Sequence, residues 1–233
     1  MRLLAILAFL ALFYPSQLLA AEMSDATAEC LECHGTVAPG MVSAWEQSRH
    51  ARTSPEEGLK KPEMERRISA KKVPEELAKN TVGCAECHTL NPEKHSDTFE
   101  HNGYQVHIVI TPEDCATCHP VEVKQYGKNL MSQAYGNLMN NSLYQDLMLS
   151  INGVQFFQEG KTKFKAPGPE TNADSCLSCH GTVVEVKGID DRDTEMGAME
   201  FPVLSGWPNE GVGRINPDGS KGSCSSCHTW HRF

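Results

Sequence analysis

Apolar positions along the chain fall into few regular patterns. The clearest runs from Val121 to Ser150, where Leu130, Met131, Ala134, Tyr135, Leu138, Met139, Leu143, Leu147 and Met148 recur at intervals of three and four. This spacing predicts an amphipathic helix, with Gly127 and Gly136 as points of interruption. Val42–Arg52 predicts a shorter helix carrying Trp45 and His50, and Ser54-Pro55-Glu56-Glu57-Gly58 predicts a turn. Residues 60–79 are charged, with Ile68, Val73 and Leu77 as the few apolar positions, and are expected to form a solvated helix or lid. Period-two alternation, the mark of a half-buried strand, is nearly absent. With 18 Gly and 13 Pro to break the chain, the expected fold is mainly α with extensive irregular loops.

The N-terminus is a special case. After Met1-Arg2 an apolar stretch runs from Leu3 to Tyr14 and is closed by Pro15, with Ala20-Ala21 ahead of Glu22. Such a stretch is too short for a hydrocarbon layer of about 30 Å, whereas a positive start, a short apolar core and small residues at the end predict a cleaved signal peptide over 1–21. Export to the periplasm follows from that reading. Residues 22–233 are taken as one domain, and no later segment is apolar enough to span a membrane.

Charge narrows the partners. The 21 Lys and Arg against 30 Asp and Glu give a formal charge of −9, which argues against nucleic-acid binding and against docking on an anionic membrane.

The ten cysteines change the picture most, because every one belongs to a copy of Cys-x-x-Cys-His: Cys30/Cys33/His34, Cys84/Cys87/His88, Cys115/Cys118/His119, Cys176/Cys179/His180 and Cys224/Cys227/His228. This is the c-type haem attachment motif, in which two thiols add to the porphyrin vinyl groups and the adjacent His meets the iron. Zinc ribbons use Cys-x-x-Cys in twos without requiring the following His, and five pairs leave one unpartnered. A thioredoxin-like redox site needs a single pair in a βαβ setting, and a disulfide framework does not explain the His. Five covalently bound haem c groups are therefore expected, with His34, His88, His119, His180 and His228 as proximal ligands. At roughly 42 residues per haem, the porphyrins must supply much of the apolar core. Residues 30–37 repeat at 176–183 in seven of eight positions, an echo of a duplicated haem-binding unit. The irregular spacing of the motifs excludes a repeat solenoid.

Five His lie outside the motifs: His50, His95, His101, His107 and His231. All are candidate distal ligands. If all five bind iron, every haem is closed and the protein is an electron wire; if one haem is open, it can bind a small molecule, with the others as electron sink. Counting leaves both alternatives standing.

A family resemblance enters here. Met196-Gly-Ala-Met-Glu-Phe-Pro-Val-Leu204 and Trp207-Pro-Asn-Glu-Gly-Val-Gly-Arg-Ile-Asn-Pro-Asp-Gly-Ser220, running into the fifth motif, resemble hydroxylamine oxidoreductase; Glu100-His-Asn-Gly103 and Thr111-Pro-Glu-Asp-Cys-Ala-Thr-Cys-His119 are similar too. The resemblance implies a periplasmic homotrimer with eight haems per subunit, a five-coordinate catalytic haem on the fourth motif (Cys176, Cys179, His180), and electron delivery to a cytochrome c-type partner. It implies oxidation of hydroxylamine to nitric oxide or nitrite, with Asp218 and His231 as the candidate proton-handling residues. The family continues past Phe233 through three more haems and a helical region containing a Tyr that cross-links to the catalytic haem, so these 233 residues are expected to be its N-terminal five-haem portion. Without that Tyr, reduction of nitrite or hydroxylamine to ammonium is the alternative direction. A purely electron-transferring cytochrome, with all haems six-coordinate, is the other.

Overall fold

The computed structural model describes residues 21–206, 209, 211–229 and 231–233. Most of the expected leader, residues 1–20, lies outside them. Among the described residues no helix is long and apolar enough to cross a membrane.

Short helices carry the motifs. Helix α1 (Asp25–Val37) starts at Ser24, whose side chain accepts from the Thr27 amide, and it bears the first motif. After Ala38, Pro39 opens α2 (Pro39–Glu46), and α3 covers Pro55–Lys60. A single turn, α4 (Glu75–Ala78), precedes α5 (Cys84–His88), which is the second motif itself. The third motif spans the end of α6 (Pro112–Cys115) and the residues up to His119, directly before α7 (Pro120–Tyr126). Then come α8 (Ala134–Met139), α9 (Ser142–Asn152), α10 (Pro169–Asp174) and α11 (Cys176–His180), which is the fourth motif. The fifth begins in a 3-10 turn, Cys224–Ser226. A helical turn suits this chemistry because residues i, i+3 and i+4 share one face, so both thiols and the imidazole meet one porphyrin.

Three antiparallel hairpins correct the expectation of a chain without strands. They are β1 (Phe99–His101) with β2 (Tyr104–Val106), β3 (Val154–Gln158) with β4 (Lys161–Lys165), and β5 (Val186–Thr194) with β6 (Gly197–Leu204). Asn102-Gly103 and Glu159-Gly160 turn the first two, with φ positive at all four residues as a two-residue type I′ turn requires. Each sheet has only two strands, and β3–β4 is exposed almost throughout, so burial imposes little alternation on their sequences.

Two further expectations change. The Val121–Ser150 pattern is divided into α7, a 3-10 turn at Leu130–Gln133, α8 and α9. The breaks are made by Gly127 at the end of α7 and by Asn129 and Asn141, whose side chains accept from the amides of Met131 and Leu143. The segment expected as a turn at 54–58 is instead α3, closed by a reciprocal cap. Ser54 Oγ accepts from the Glu57 amide, and Glu57 Oε2 accepts from the Ser54 amide at 2.9 Å.

The protein side of the core is small. Among the described residues the buried apolar side chains are Ile68, Ala70, Ala85, Phe99, Val109, Ala134, Leu138, Met148 and Val184, and several of these are alanine. Buried polar groups do much of the joining. Thr27 of α1 donates to Glu86 Oε2 at 2.7 Å and accepts from the Ala85 amide at 3.1 Å, which clamps the first motif helix onto the second. Gly83 permits that approach, since a Cβ there would collide with the Thr27 side chain.

Candidate haem sites

All ten motif cysteines are free thiols, with no disulfide among them. Thiols of different motifs lie close enough to interact electrostatically: Cys30 with Cys84, Cys87 with Cys118, and Cys115 with Cys224. The first, second, third and fifth motifs therefore form a contiguous series.

Four of the residues expected to bind haem, Cys33, Cys227 and the fourth motif's Cys176 and Cys179, stand apart from this series of thiol contacts. Cys33 is half-buried on α1. Three residues of helix turn it about 60° away from Cys30, so it is Cys30 that meets the second motif. Cys227 is exposed just past the 3-10 turn, where the Ser226 hydroxyl lies 4.0 Å from its Sγ, while Cys224 takes the contact with the third motif. In the fourth motif Cys176 is half-buried, and Cys179 is exposed with the Ser178 hydroxyl 4.0 Å from its Sγ. The first thiol of the first and fifth motifs thus lies nearest another motif, and in the fifth the second thiol is the more exposed.

Whether the His residues fit iron can be tested by distance. Two imidazoles on opposite faces of one metal, with bonds of about 2 Å, have ring centres roughly 6 Å apart. His34 and His101 stand at 6.2 Å, His50 and His119 at 6.3 Å, and His88 and His231 at 6.5 Å. Each pair joins one motif His to one His from outside the motifs. Burial holds His34, His88, His119 and His231 below the usual imidazole range and pushes His50 down to about 4. Ligation needs this neutral form. His101 Nδ1 is buried without a hydrogen-bond partner.

Local structure places these partners. His101 ends β1 opposite Tyr104, and Tyr104 donates to Glu29 Oε2 of α1 at 2.7 Å, which folds the hairpin over the first motif. His50 follows α2 in a turn whose carbonyl accepts from the Val82 amide at 3.0 Å, while Trp45 Nε1 donates to the Val82 carbonyl at 2.9 Å. His88 Nδ1 donates to the His107 carbonyl at 2.7 Å. A backbone carbonyl on Nδ1 fixes the tautomer and frees Nε2 for metal. His107 also stands 6.2 Å from His88, but this bond sets its backbone behind the ring.

His95 and His107 stack on each other instead, with ring centres 3.5 Å apart and planes 5° from parallel. His95 Nε2 is 3.1 Å from Asp114 Oδ1, and its Nδ1 is 3.7 Å from Asp97 Oδ1. Burial disfavours the charged ring, but the hydrogen bond to Asp114 and the nearby carboxylate of Asp97 outweigh that and hold His95 up at about 9. Burial pushes His107 down to about 4.

The fourth motif is different. His180 Nδ1 faces the Ala134 carbonyl at 3.4 Å, and among the described residues no His ring stands across from it. Residues 211–215 wrap this motif: Val212 N donates to the Cys179 carbonyl at 3.0 Å and Ile215 N to the Thr182 carbonyl at 2.9 Å. Arg214, 2% exposed, ties the loop down through Asn216 Oδ1 at 2.7 Å and the Ile110 carbonyl at 3.2 Å. Gly181, at φ +89°, lies so close to the Arg214 backbone that any Cβ would overlap it. Replacing Gly181 by Ala therefore combines a left-handed backbone with a backbone clash and is expected to cost roughly 3 kcal/mol or more. Denaturant unfolding of the haem-loaded protein measures it, and a loss below about 1 kcal/mol would show that the loop yields freely.

The residues expected to act together around the fourth haem are dispersed. His180 faces Ala134, the His231 ring faces His88, and Asp218 lines a pocket with Lys94, His95, Thr111, Glu113 and Asp114. The resemblance grouped Asp218 with His231, but the turn at Asn216–Gly219, closed by a 2.9 Å amide–carbonyl bond, carries Asp218 elsewhere. His228 has the ring of Phe233 at 5.7 Å, and the same ring stacks on His50 at 5.9 Å.

Comparisons with known proteins agree with this geometry. No curated protein matches the chain. A solved structure described as a hypothetical multihaem protein is 43% identical with a TM-score of 0.80, over 90% of this chain and 40% of its own. The chain thus spans about 40% of the length of that protein. The family model for cytochrome c554 and c-prime matches residues 29–107 and 114–200, most of the sequence. With its attachment motifs and opposed His rings, the chain belongs to the cytochrome c554 and c-prime family, and is a multihaem cytochrome c.

Proposed function

We propose that this cytochrome is a periplasmic electron conduit of five haems whose fourth haem is open to a small ligand. One observation carries the reading: His34, His88 and His119 each face a second His at 6.2–6.5 Å, whereas among the described residues neither His180 nor His228 does, and of these two the resemblance selects His180. Haem iron supplies one-electron transfer when bound. The protein's part is to close three sites with paired neutral imidazoles and to hold their attachment points in series. At the fourth site it fixes the His180 tautomer through the Ala134 carbonyl and packs residues 211–215 beside it.

The ligand class follows from the sequence resemblance to hydroxylamine oxidoreductase and rests on it alone. Hydroxylamine, oxidised to nitric oxide or nitrite, is the proposed substrate, with electrons leaving to a cytochrome c-type partner; the subunits would assemble as a trimer. Electron paramagnetic resonance on the exported, haem-loaded protein tests the proposal. A high-spin signal is expected that changes on adding hydroxylamine and is lost in the Cys176→Ser/Cys179→Ser variant. Low-spin haems throughout, unresponsive to hydroxylamine, would leave a pure electron carrier. A response that survives in the variant would move the open site to another motif.

A further inference from the structure

We infer that His95, His107 and Asp114 form a binding site for a divalent transition-metal ion, Zn2+ being the ion that best suits the donors. The three side chains are 7%, 0% and 5% exposed. One ligand atom from each lies within 4.8 Å of the others, and the His107 ring, stacked on His95 without the ion, turns out of the stack to aim its lone pair at it. His95 Nε2 and Asp114 Oδ1, 3.1 Å apart, already have the separation of two donors bound to one metal at about 2 Å.

The second observation is His107. Both its ring nitrogens are buried without a hydrogen-bond partner, a costly state for a neutral imidazole unless one nitrogen meets a ligand. It rests on the proposed assignment of His231, not His107, to the iron at His88. Around the three donors stands a supporting set. Asp97 Oδ1, without a hydrogen-bond partner of its own, lies 3.7 Å from His95 Nδ1, a short closure away from the carboxylate–histidine–metal series that orients metal-bound imidazoles. Asp97 is itself fixed by the amides of Ile108 and Val109 at 2.9 and 2.8 Å. The Thr111 amide holds Asp114 Oδ2 at 2.8 Å, leaving Oδ1 toward the cluster.

Charge favours the same conclusion. Asp97 and Asp114 bring two buried carboxylates, which a single imidazolium at His95 leaves half balanced; a dication balances both and displaces the proton from His95 as it binds. Arg214 is hydrogen-bonded to Asn216, Asn209 and Ile110 instead. An imidazole and carboxylate set is that of zinc and its first-row neighbours, not of Ca2+ or Mg2+. The pocket past Lys94, Glu113 and Asp218 gives the ion a way in and leaves room for a water as remaining ligand.

The test uses haem-loaded protein, stripped of loosely held metal with a chelator and titrated with Zn2+ by calorimetry. One site per chain is expected. His107→Ala should weaken it at least about 100-fold, and Asp97→Asn on the order of 10-fold, with the haem count and spin states unchanged in both. Zinc-edge X-ray absorption of the unmutated protein provides an independent reading: nitrogen and oxygen neighbours at about 2.0 Å with imidazole scattering. Absence of uptake overturns the site, as does equal affinity in His107→Ala. Sulfur neighbours at about 2.3 Å would put the zinc on unmatured cysteines and overturn it too. A haem turned high-spin by His107→Ala would make His107 an iron ligand and overturn both this site and the His231 assignment.

Discussion

Made without haem, the chain is expected to lack a cooperative thermal transition and to be cut throughout its length by a non-specific protease. The buried apolar set includes Phe99, Ile68, Leu138 and Met148 as its larger members, while Ala70, Ala85 and Ala134 contribute little area. Leu130, Leu143, Leu147, Ile151 and Phe157 are exposed. Ordering each backbone residue costs on the order of 1–2 kcal/mol, and a core this thin cannot offset that over some two hundred residues. The porphyrins must supply the missing apolar contact, as the low number of residues per haem already implied. The polar joints cannot substitute, because the Thr27–Glu86 clamp and the Thr111–Asp114 cap contribute about 1 kcal/mol net per hydrogen bond. Circular dichroism and limited proteolysis of protein expressed without haem attachment measure this. A sharp melt together with a protected core would show that the side chains suffice, and would remove the haem-stack account of the fold.

Attachment was legible in the sequence because the motif is local: two thiols and an imidazole occupy one helical turn, so residue order alone specifies them. Which thiol of a pair faces another motif was not, since Cys30 and Cys33, or Cys224 and Cys227, are equivalent until the motifs are packed together. Helix starts were legible too, though not all were read. Ser54-Pro55-Glu56-Glu57 carries both halves of a capping box with Pro at the first helical position, and it opens α3 where a turn was expected. Asn102-Gly103 is a strong hairpin signal that the near-absence of alternation masked. At Val121–Ser150 the three-and-four spacing was real, yet Asn129 and Asn141 offered their own side chains to the backbone and restarted the helix.

The distal partners were a different problem. His101 returns to His34 across 67 residues, His50 reaches forward to His119, and His231 comes back to His88 from the far end of the chain. No local pattern encodes such pairing, which depends on where β1, the turn after α2 and the last residues come to rest. The same holds for the buried His95–His107 stack, whose members are separated by the whole β1–β2 hairpin.

Replacing His101 by Ala is expected to convert the haem of the first motif from low-spin to high-spin, and replacing His50 or His231 to do so at the third and second. Each variant removes the imidazole facing one motif His, and the ring separations of 6.2–6.5 Å leave one face without a protein donor. His101→Met tests the same site more finely. A thioether in place of imidazole keeps the iron low-spin but stabilises its reduced state, so the potential of that haem should rise by on the order of 0.1 V, within the wide range axial ligands command. Paramagnetic resonance counts the converted haems, and spectroelectrochemical titration finds the shifted one. His107→Ala is the informative control: its carbonyl, which accepts from His88 Nδ1, is retained in the variant, so the haem at His88 should stay low-spin. If His107→Ala gives the high-spin signal and His231→Ala does not, the two exchange roles at the second motif, since both rings lie within reach of His88. If His101→Ala changes nothing, the hairpin over α1 packs against the first haem without binding it.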